Sequence, residues 1–499
     1  MHKKLIVAVA ITATALFNAL APAAAQAQAR KDSVVIGMTL EPTGLDPTTG
    51  AASAIAEIVH YNVFETLTKI KADGTVGPLL AESWTISPDQ KTYTFKLRRD
   101  VTYSNGEPFS AETVKASIAR ATDGKSTNKD KATFANIESV SAPDATTVVL
   151  KLKDTEPDFL FLMGQATAII VEPKSAASNT TQPIGTGPYT LGNWVKGSSL
   201  VLNKWPAYRG AAAVSVNKVT FRFISDPSAQ VASLLSGDVD AFPRVAAARS
   251  LDQFKSDGRF QVLTGGSRAK TIIAINQRRK PLNDVRVRRA LAAAIDRKAV
   301  IDGAADGFGT PIGSHYVPGA FGFVDTTGIN PFDINKAKAL LKEAGVTTPL
   351  ELTLKLPPVP YARQGGEVVA AQLAKIGVVA KLENLEWAQW LSAVYTNKNY
   401  DLTIISHVEP FDLGNYAKDN YYWQYESPLF TETYKKMRAT GNTQDRAKLI
   451  GELQTMLASD VANVFLYQPK WITVAGSKLK GLWQDMPIFV NDVSALSWQ

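Results

Sequence analysis

Polar and apolar side chains alternate through TYTFKL at residues 92–97, with Tyr93, Phe95 and Leu97 on one face and Thr92, Thr94 and Lys96 on the other. A period of two is that of a half-buried β-strand. Pro88-Asp89-Gln90 ahead of it and Asn105-Gly106 behind it carry turn chemistry. Ser110 then stands as the N-cap of a helix, with Glu112 and Thr113 in the first turn. Residues 137–140 and 146–152 alternate in the same way around Pro143-Asp144, and Asp73-Gly74 marks another tight turn, so two hairpins are predicted. The stretch from about 53 to 185 therefore reads as strands with a few helices.

Elsewhere the period changes. A short apolar strand at 33–38 runs into the loop Glu41-Pro42-Thr43-Gly44-Leu45-Asp46-Pro47, and residues 55–67 carry apolar side chains at helical spacing. A Gly/Pro bend at 183–189 leads to strands at 200–202 and 219–223 and to a helix at 228–235 stopped by Gly237. A buried strand at 271–276 precedes a helix over 285–302. Its apolar face is Val287, Leu291, Ala294, Ile295 and Val300, and its arginines point outward. Helices at 334–344, 368–376 and 446–457, and from Trp387 onward, then alternate with strands at 351–356, 378–382, 400–406 and 464–467. Such alternation predicts an α/β lobe.

Length and composition bound the reading. The chain has 499 residues, 45% hydrophobic and 20% charged, as expected of two or three globular domains. Residues 1–28 differ from the rest. Lys3 and Lys4 precede an apolar run at 5–20 and a small-residue stretch at 23–29, the pattern of a secretory signal peptide. Cleavage after Ala27 removes two lysines, so the formal charge falls from +8 to 8 − 2 = +6. The clusters Arg278-Arg279-Lys280 and Arg286, Arg288, Arg289 read as solvated helix faces rather than a nucleic-acid surface. There is no cysteine, which excludes disulfides, thiolate metal sites, a cysteine nucleophile and a lipidated cysteine anchor.

Catalytic patterns are missing. Of four histidines, His2 leaves with the leader, and His60, His315 and His407 are not in metalloprotease spacing. There is no nucleophile-elbow motif, and the single S-x-x-K, Ser126 to Lys129, lies in a polar loop. One segment does concentrate aromatic and polar groups. Trp387, Phe411, Tyr416, Tyr421, Tyr422 and Trp423 offer flat walls, while Ser406, His407, Glu409 and Asp412 offer polar contacts. A solute cleft is built from such groups.

The wording of several stretches adds to this. LAESW, KTYTFKLR and GEPFSAETV within residues 78–114, PIGTGPY at 183–189, LLSGDVD at 234–240 and DVRVRRALAAAIDR at 284–297 resemble the family 5 extracellular solute-binding proteins of ABC transporters, the dipeptide, oligopeptide and nickel binders. Thr113 replaces the usual acid of the motif. The likeness runs from about Ser33 to Tyr467. It implies an α/β, type II-like periplasmic binding protein fold: two lobes on a hinge, with lobe I at 30–52, 186–272 and 471–499, an inserted subdomain at 53–185 and lobe II at 273–470. It implies a monomer free in the periplasm, capturing a peptide-like solute for an inner-membrane permease, with no catalytic residue, cofactor, metal or nucleic-acid partner. Glu41, Thr43 and Leu45 would border the cleft beside Trp387, Ser406, His407, Glu409, Asp412, Tyr416 and Trp423. Peptide binders of the family place an aspartate here against the peptide's α-ammonium, next to a tryptophan. In this chain His407 stands about where that tryptophan is expected, and Glu409 or Asp412 is left for the amine. The departure keeps an opine, an oligosaccharide, a nickel chelate or an unusual peptide open as solutes. A secreted peptide or glycan hydrolase and a periplasmic chaperone are the readings from other classes.

Overall fold

The computed structural model describes residues 31–50 and 52–499, with the side chain of Ala388 also left aside. The leader read at 1–28 lies outside the described residues. Three larger sheets organise the rest. The first has seven strands in the order Phe260–Gly265, Trp471–Gly476, Ala241–Phe242, Ser33–Met38, Lys218–Phe223, Ser199–Lys204 and Tyr189–Val195. The second has six: Gly309–Pro311, Val464–Pro469, Lys270–Ile275, Leu402–His407, Leu350–Leu356 and Val378–Asn384. The third has four: Ala81–Ile86, Thr92–Leu97, Thr147–Leu152 and Ile137–Asp144.

The chain passes between the first two sheets at two places, from Gly265 to Lys270 and from Pro469 to Trp471. The boundary expected at 272/273 thus falls inside a strand, and the crossing lies a few residues earlier. The two crossings are tied together: the Ser267 hydroxyl donates to the Pro469 carbonyl at 3.0 Å, and Gln468 Nε2 donates to the Ser267 carbonyl at 2.7 Å.

The four-stranded sheet follows its sequence closely. Tyr93, Phe95 and Leu97 are all buried and pack with Val114 and Ile118 of the helix Ala111–Thr122. At the start of that helix the Ser110 backbone N–H donates to the Thr113 hydroxyl at 3.2 Å, so threonine does the work an acid does in the usual capping box. A central strand of the six-stranded sheet is buried on both faces. Ile273 and Ile275 enter one core, Ile272 and Ala274 the other, and all six residues of Lys270–Ile275 are buried.

Three local expectations need correction. The helix over 285–302 is two helices, Val285–Ala293 and Arg297–Ala305. Asp296 breaks it because its carboxylate caps the second helix, accepting from the backbone N–H of Lys298 and Ala299. Arg288 does not point outward. It is buried and donates to the carbonyls of Leu282, Asn283, Asp460 and Val461. The helix at 368–376 begins earlier, at Pro360, and runs through Gly365-Gly366. A Cβ on Gly366 would lie 2.4 Å from Leu356 Cδ1, so close packing on the strand, not a turn, requires that glycine. No helix among the described residues is long and apolar enough to cross a membrane.

Candidate functional site

Leu350–Leu356, Val378–Asn384 and Leu402–His407 run parallel, so their carboxyl ends share one edge. Ligands of open α/β sheets bind outside such ends. Lys270, the first residue after the first crossing, pairs in register with His407 and therefore arrives at the same edge. The segment around Phe161 also packs against this edge. Phe161 meets Phe411 edge-on, ring centroids 4.9 Å apart, within an apolar cluster that includes Tyr61, Ile70, Ile488 and Val490. Alongside, Asp158 accepts both its contacts from Arg446 Nη2 at 2.6 Å, and Glu156 pairs with Arg438 at 3.0 Å.

At the centre lies a buried group of charges. Lys270 Nζ donates to Asp412 Oδ1 at 2.7 Å and also to the Glu409 carbonyl. His315 Nε2 is 2.7 Å from Asp412 Oδ2. The Tyr416 hydroxyl lies 3.1 Å from His315 Nδ1 and itself accepts from Asn463 Nδ2 at 2.8 Å. A Tyr416 hydroxyl that accepts from Asn463 can donate to Nδ1, the arrangement that suits a neutral His315 donating from Nε2 to Asp412. Side-chain exposure is 2% for Lys270 and 4% for Asp412. A buried charge without a partner costs several kcal/mol, so each of these two is the condition for the other.

Electrostatics follow from burial. Burial alone would push the Asp412 carboxyl up, but His315 and the Lys270 ammonium outweigh it and hold the group well below the usual carboxylate range. Burial lowers His315, against the pull of Asp412. Burial also lowers His407 to about 3, helped by neighbouring His315. His407 Nε2 sits 2.9 Å from the Tyr422 hydroxyl, while its Nδ1 is 3.8 Å from Asp412 and 4.0 Å from Glu409. Among the described residues His315, His407 and Asp412 are the grouping whose donor atoms lie close enough, within 4.8 Å, to hold a metal. The donor set fits a cation poorly, because both Asp412 oxygens are already engaged and one faces an ammonium.

The structure brings Ser406, His407, Glu409, Asp412, Tyr416 and Trp423 together. Tyr416 and Trp423 stack at 4.2 Å and are buried, forming the wall behind the charges rather than a free surface. Ser406 is tied in by its backbone N–H to the Tyr361 hydroxyl and by its own hydroxyl to Thr271. Glu409 is largely exposed, its carboxylate accepting from the Val408 N–H. Trp387 is 45% exposed and stacked on Trp390 with centroids 5.3 Å apart. Glu41, Thr43 and Leu45 are held by the first lobe. Glu41 accepts from Trp194 Nε1 and the Gly197 N–H, Thr43 is exposed, and Leu45 packs in the lobe core. Lys270 and the buried role of His315 were not read from the sequence. The signal for Lys270 was a lone cation at the start of a buried, mostly apolar strand.

The fold defines a class: it is the two-lobed, type II-like fold of the periplasmic binding proteins. The comparisons agree. The family model for bacterial extracellular solute-binding proteins, family 5 (middle region), matches residues 75–428. The chain belongs to this family, the solute-binding components of ABC importers. It is 29% identical over 395 residues to the glutathione-binding protein GsiB of Escherichia coli K12, covering 78% of this chain and 75% of that one. It is 34% identical over 284 residues to a putative ABC transporter peptide-binding protein of Brucella abortus, covering 55% of this chain and 53% of that one. Among solved structures it resembles the binding protein AgaA from A. tumefaciens R10 in complex with agropinic acid, at 25% identity and a TM-score of 0.80, covering 94% of this chain and 99% of that one. The DppA protein of Helicobacter pylori in complex with the peptide STSA shares the fold, with a TM-score of 0.78, 22% identity and coverage of 94% and 98%.

Proposed function

We propose that this chain captures a di- or oligopeptide or peptide-like solute between its lobes in the periplasm, as a monomer, and delivers it to the permease of an inner-membrane ABC importer. The observation that carries this reading is the edge at His407–Asp412. There a preorganised charged and aromatic surface of one lobe faces the inserted subdomain, with Phe161 on Phe411 and the Arg446–Asp158 and Arg438–Glu156 pairs bridging the two sides. The paired crossings, Gly265 to Lys270 and Pro469 to Trp471, act as the hinge. Solute stabilises the closed arrangement through its higher affinity for it. The 1–28 leader directs export and is removed. The chain performs no covalent chemistry. Relatives named for glutathione and peptides support the solute class.

A second reading, an opine, is favoured by one observation. Asp412 already has an ammonium partner in Lys270, so of the two acids offered for a peptide's α-ammonium, Glu409 and Asp412, the buried one is occupied from within. Calorimetric titration of the mature chain with glutathione, a tripeptide and agropinic acid separates the two. Saturable binding of glutathione or the tripeptide at one site per chain supports the peptide-like reading. Binding of agropinic acid alone supports the second.

A further inference from the structure

Two residues before Lys270, the hinge carries another cation of a different kind. Arg268 is half-buried, and among the described residues its guanidinium has no hydrogen-bond or ion-pair partner. It lines a cavity of about 120 Å³ together with Asp73, Gly266, Gly319, Gln468 and Asp485. These come from the inserted hairpin, the hinge, the second lobe and the C-terminal segment, so any movement of the lobes reshapes the cavity. Arg268 Nη2 lies 3.0 Å from the point where a Cβ on Gly74 would sit, so the guanidinium is laid across the Asp73-Gly74 turn. The cavity belongs to the same seam as the charged cluster. Ile70 and Ile488, next in the chain to its walls, pack with Phe161 and Phe411.

Both acids of the cavity keep an oxygen in reserve. Asp485 uses Oδ1 on the Gly266 N–H, and Asp73 uses Oδ1 on the backbone and hydroxyl of Thr75. A fork of donors flanked by two acceptors matches an ammonium and a carboxylate carried on one carbon. We propose that this hinge cavity receives the α-amino-acid head of a solute, its carboxylate on Arg268 and its ammonium between Asp485 and Asp73. This rests on the reading that a small peptide-like solute is captured between the lobes. It narrows that reading to solutes with such a head, namely γ-linked glutamyl peptides and N-carboxyalkyl amino acids. Ordinary α-linked peptides, whose ammonium and carboxylate lie at opposite ends, are disfavoured. The internal Lys270–Asp412 pair points the same way, since it closes Asp412 to a terminal ammonium.

The test is a pair of isomers, γ-glutamyl-alanine and α-glutamyl-alanine, titrated by calorimetry into the mature full chain and its Arg268→Gln and Arg268→Lys variants. The γ isomer binds about tenfold to hundredfold more tightly than the α isomer, as charged hydrogen bonds of this kind require. Arg268→Gln removes most of that preference, Arg268→Lys restores part of it, and thermal unfolding of both variants matches the parent. Equal binding of the two isomers, or a preference that survives Arg268→Gln, overturns the proposal and leaves the peptide-like reading intact. If neither isomer binds but octopine does, and Arg268→Gln abolishes it, the head-group inference stands and the peptide reading falls. If neither the isomers nor octopine binds, the inference is overturned.

Discussion

Residues 78–114 and residues 406–423 are both dense in aromatic and polar groups, yet they are assembled by opposite rules. In the first, the features that mark it close on near neighbours, although Thr92–Leu97 also pairs along its other edge with Thr147–Leu152. The strand Thr92–Leu97 pairs with Ala81–Ile86, just before it in the chain, and the Ser110 cap is completed three residues on by Thr113. In the second, the decisive partners are far away in sequence: Lys270 for Asp412, His315 for Asp412, Asn463 for Tyr416. The first segment is scaffold, recognisable because its chemistry is local. The second is the candidate site, and its electrostatic state is set by residues that nothing nearby announces.

The contrast is sharpest in the buried ion pair. Lys270→Met leaves Asp412 charged, buried and unpaired, and is expected to cost about 3–5 kcal/mol in urea unfolding. The double variant Lys270→Met/Asp412→Leu recovers most of that loss. A single variant as stable as the parent would mean that the cluster is not an ion pair in the folded state.

The next effect is on pH dependence. His407 is held neutral, its pKa lowered to about 3 from an unfolded value near 6.5. Between those values the unfolded chain binds a proton that the folded chain excludes. The contribution is therefore complete above pH 6.5 and is lost as pH falls toward 3. His407→Phe should flatten the decline of melting temperature over that window. It should leave a residual slope from His60, likewise lowered to about 3 by burial, and from His315. An unchanged slope would count against a buried neutral His407.

Across the seam, Arg446→Met removes the contact to Asp158 and is expected to weaken closure by about 1.5–3 kcal/mol, read as lower solute affinity with nearly unchanged thermal unfolding. Equal affinity would detach this pair from closure. The smallest effect belongs to the scaffold. Thr113→Val deletes the acceptor for the Ser110 N–H and should cost about 0.5–2 kcal/mol without altering solute binding.

Much of the fold was legible in the sequence for physical reasons. Period-two alternation at Tyr93, Phe95 and Leu97, the Ser110 cap and the Gly237 stop are short-range statements. The break at Asp296 was not legible, because the apolar period continues through it while a side-chain cap restarts the helix. The early start at Pro360 was hidden by Gly365-Gly366, which weaken a helical reading unless the facing Leu356 is known. The site was half legible. Its aromatics and acids could be gathered from one segment, but the pairing of Asp412 with Lys270 could not, since a lysine before an apolar strand is ordinarily a solvated end. Leu45 was placed at the cleft through its loop, and its burial in the first-lobe core depends on a fold that the loop alone does not specify.

The most direct test of the account is native mass spectrometry of the exported protein, purified without refolding and then incubated with glutathione, γ-glutamyl-alanine, a tripeptide and agropinic acid. The account predicts one non-covalent small solute per chain, either retained from the periplasm or taken up from these compounds, and released on denaturation. A chain that is free of solute as purified and stays free in the presence of all four would contradict it.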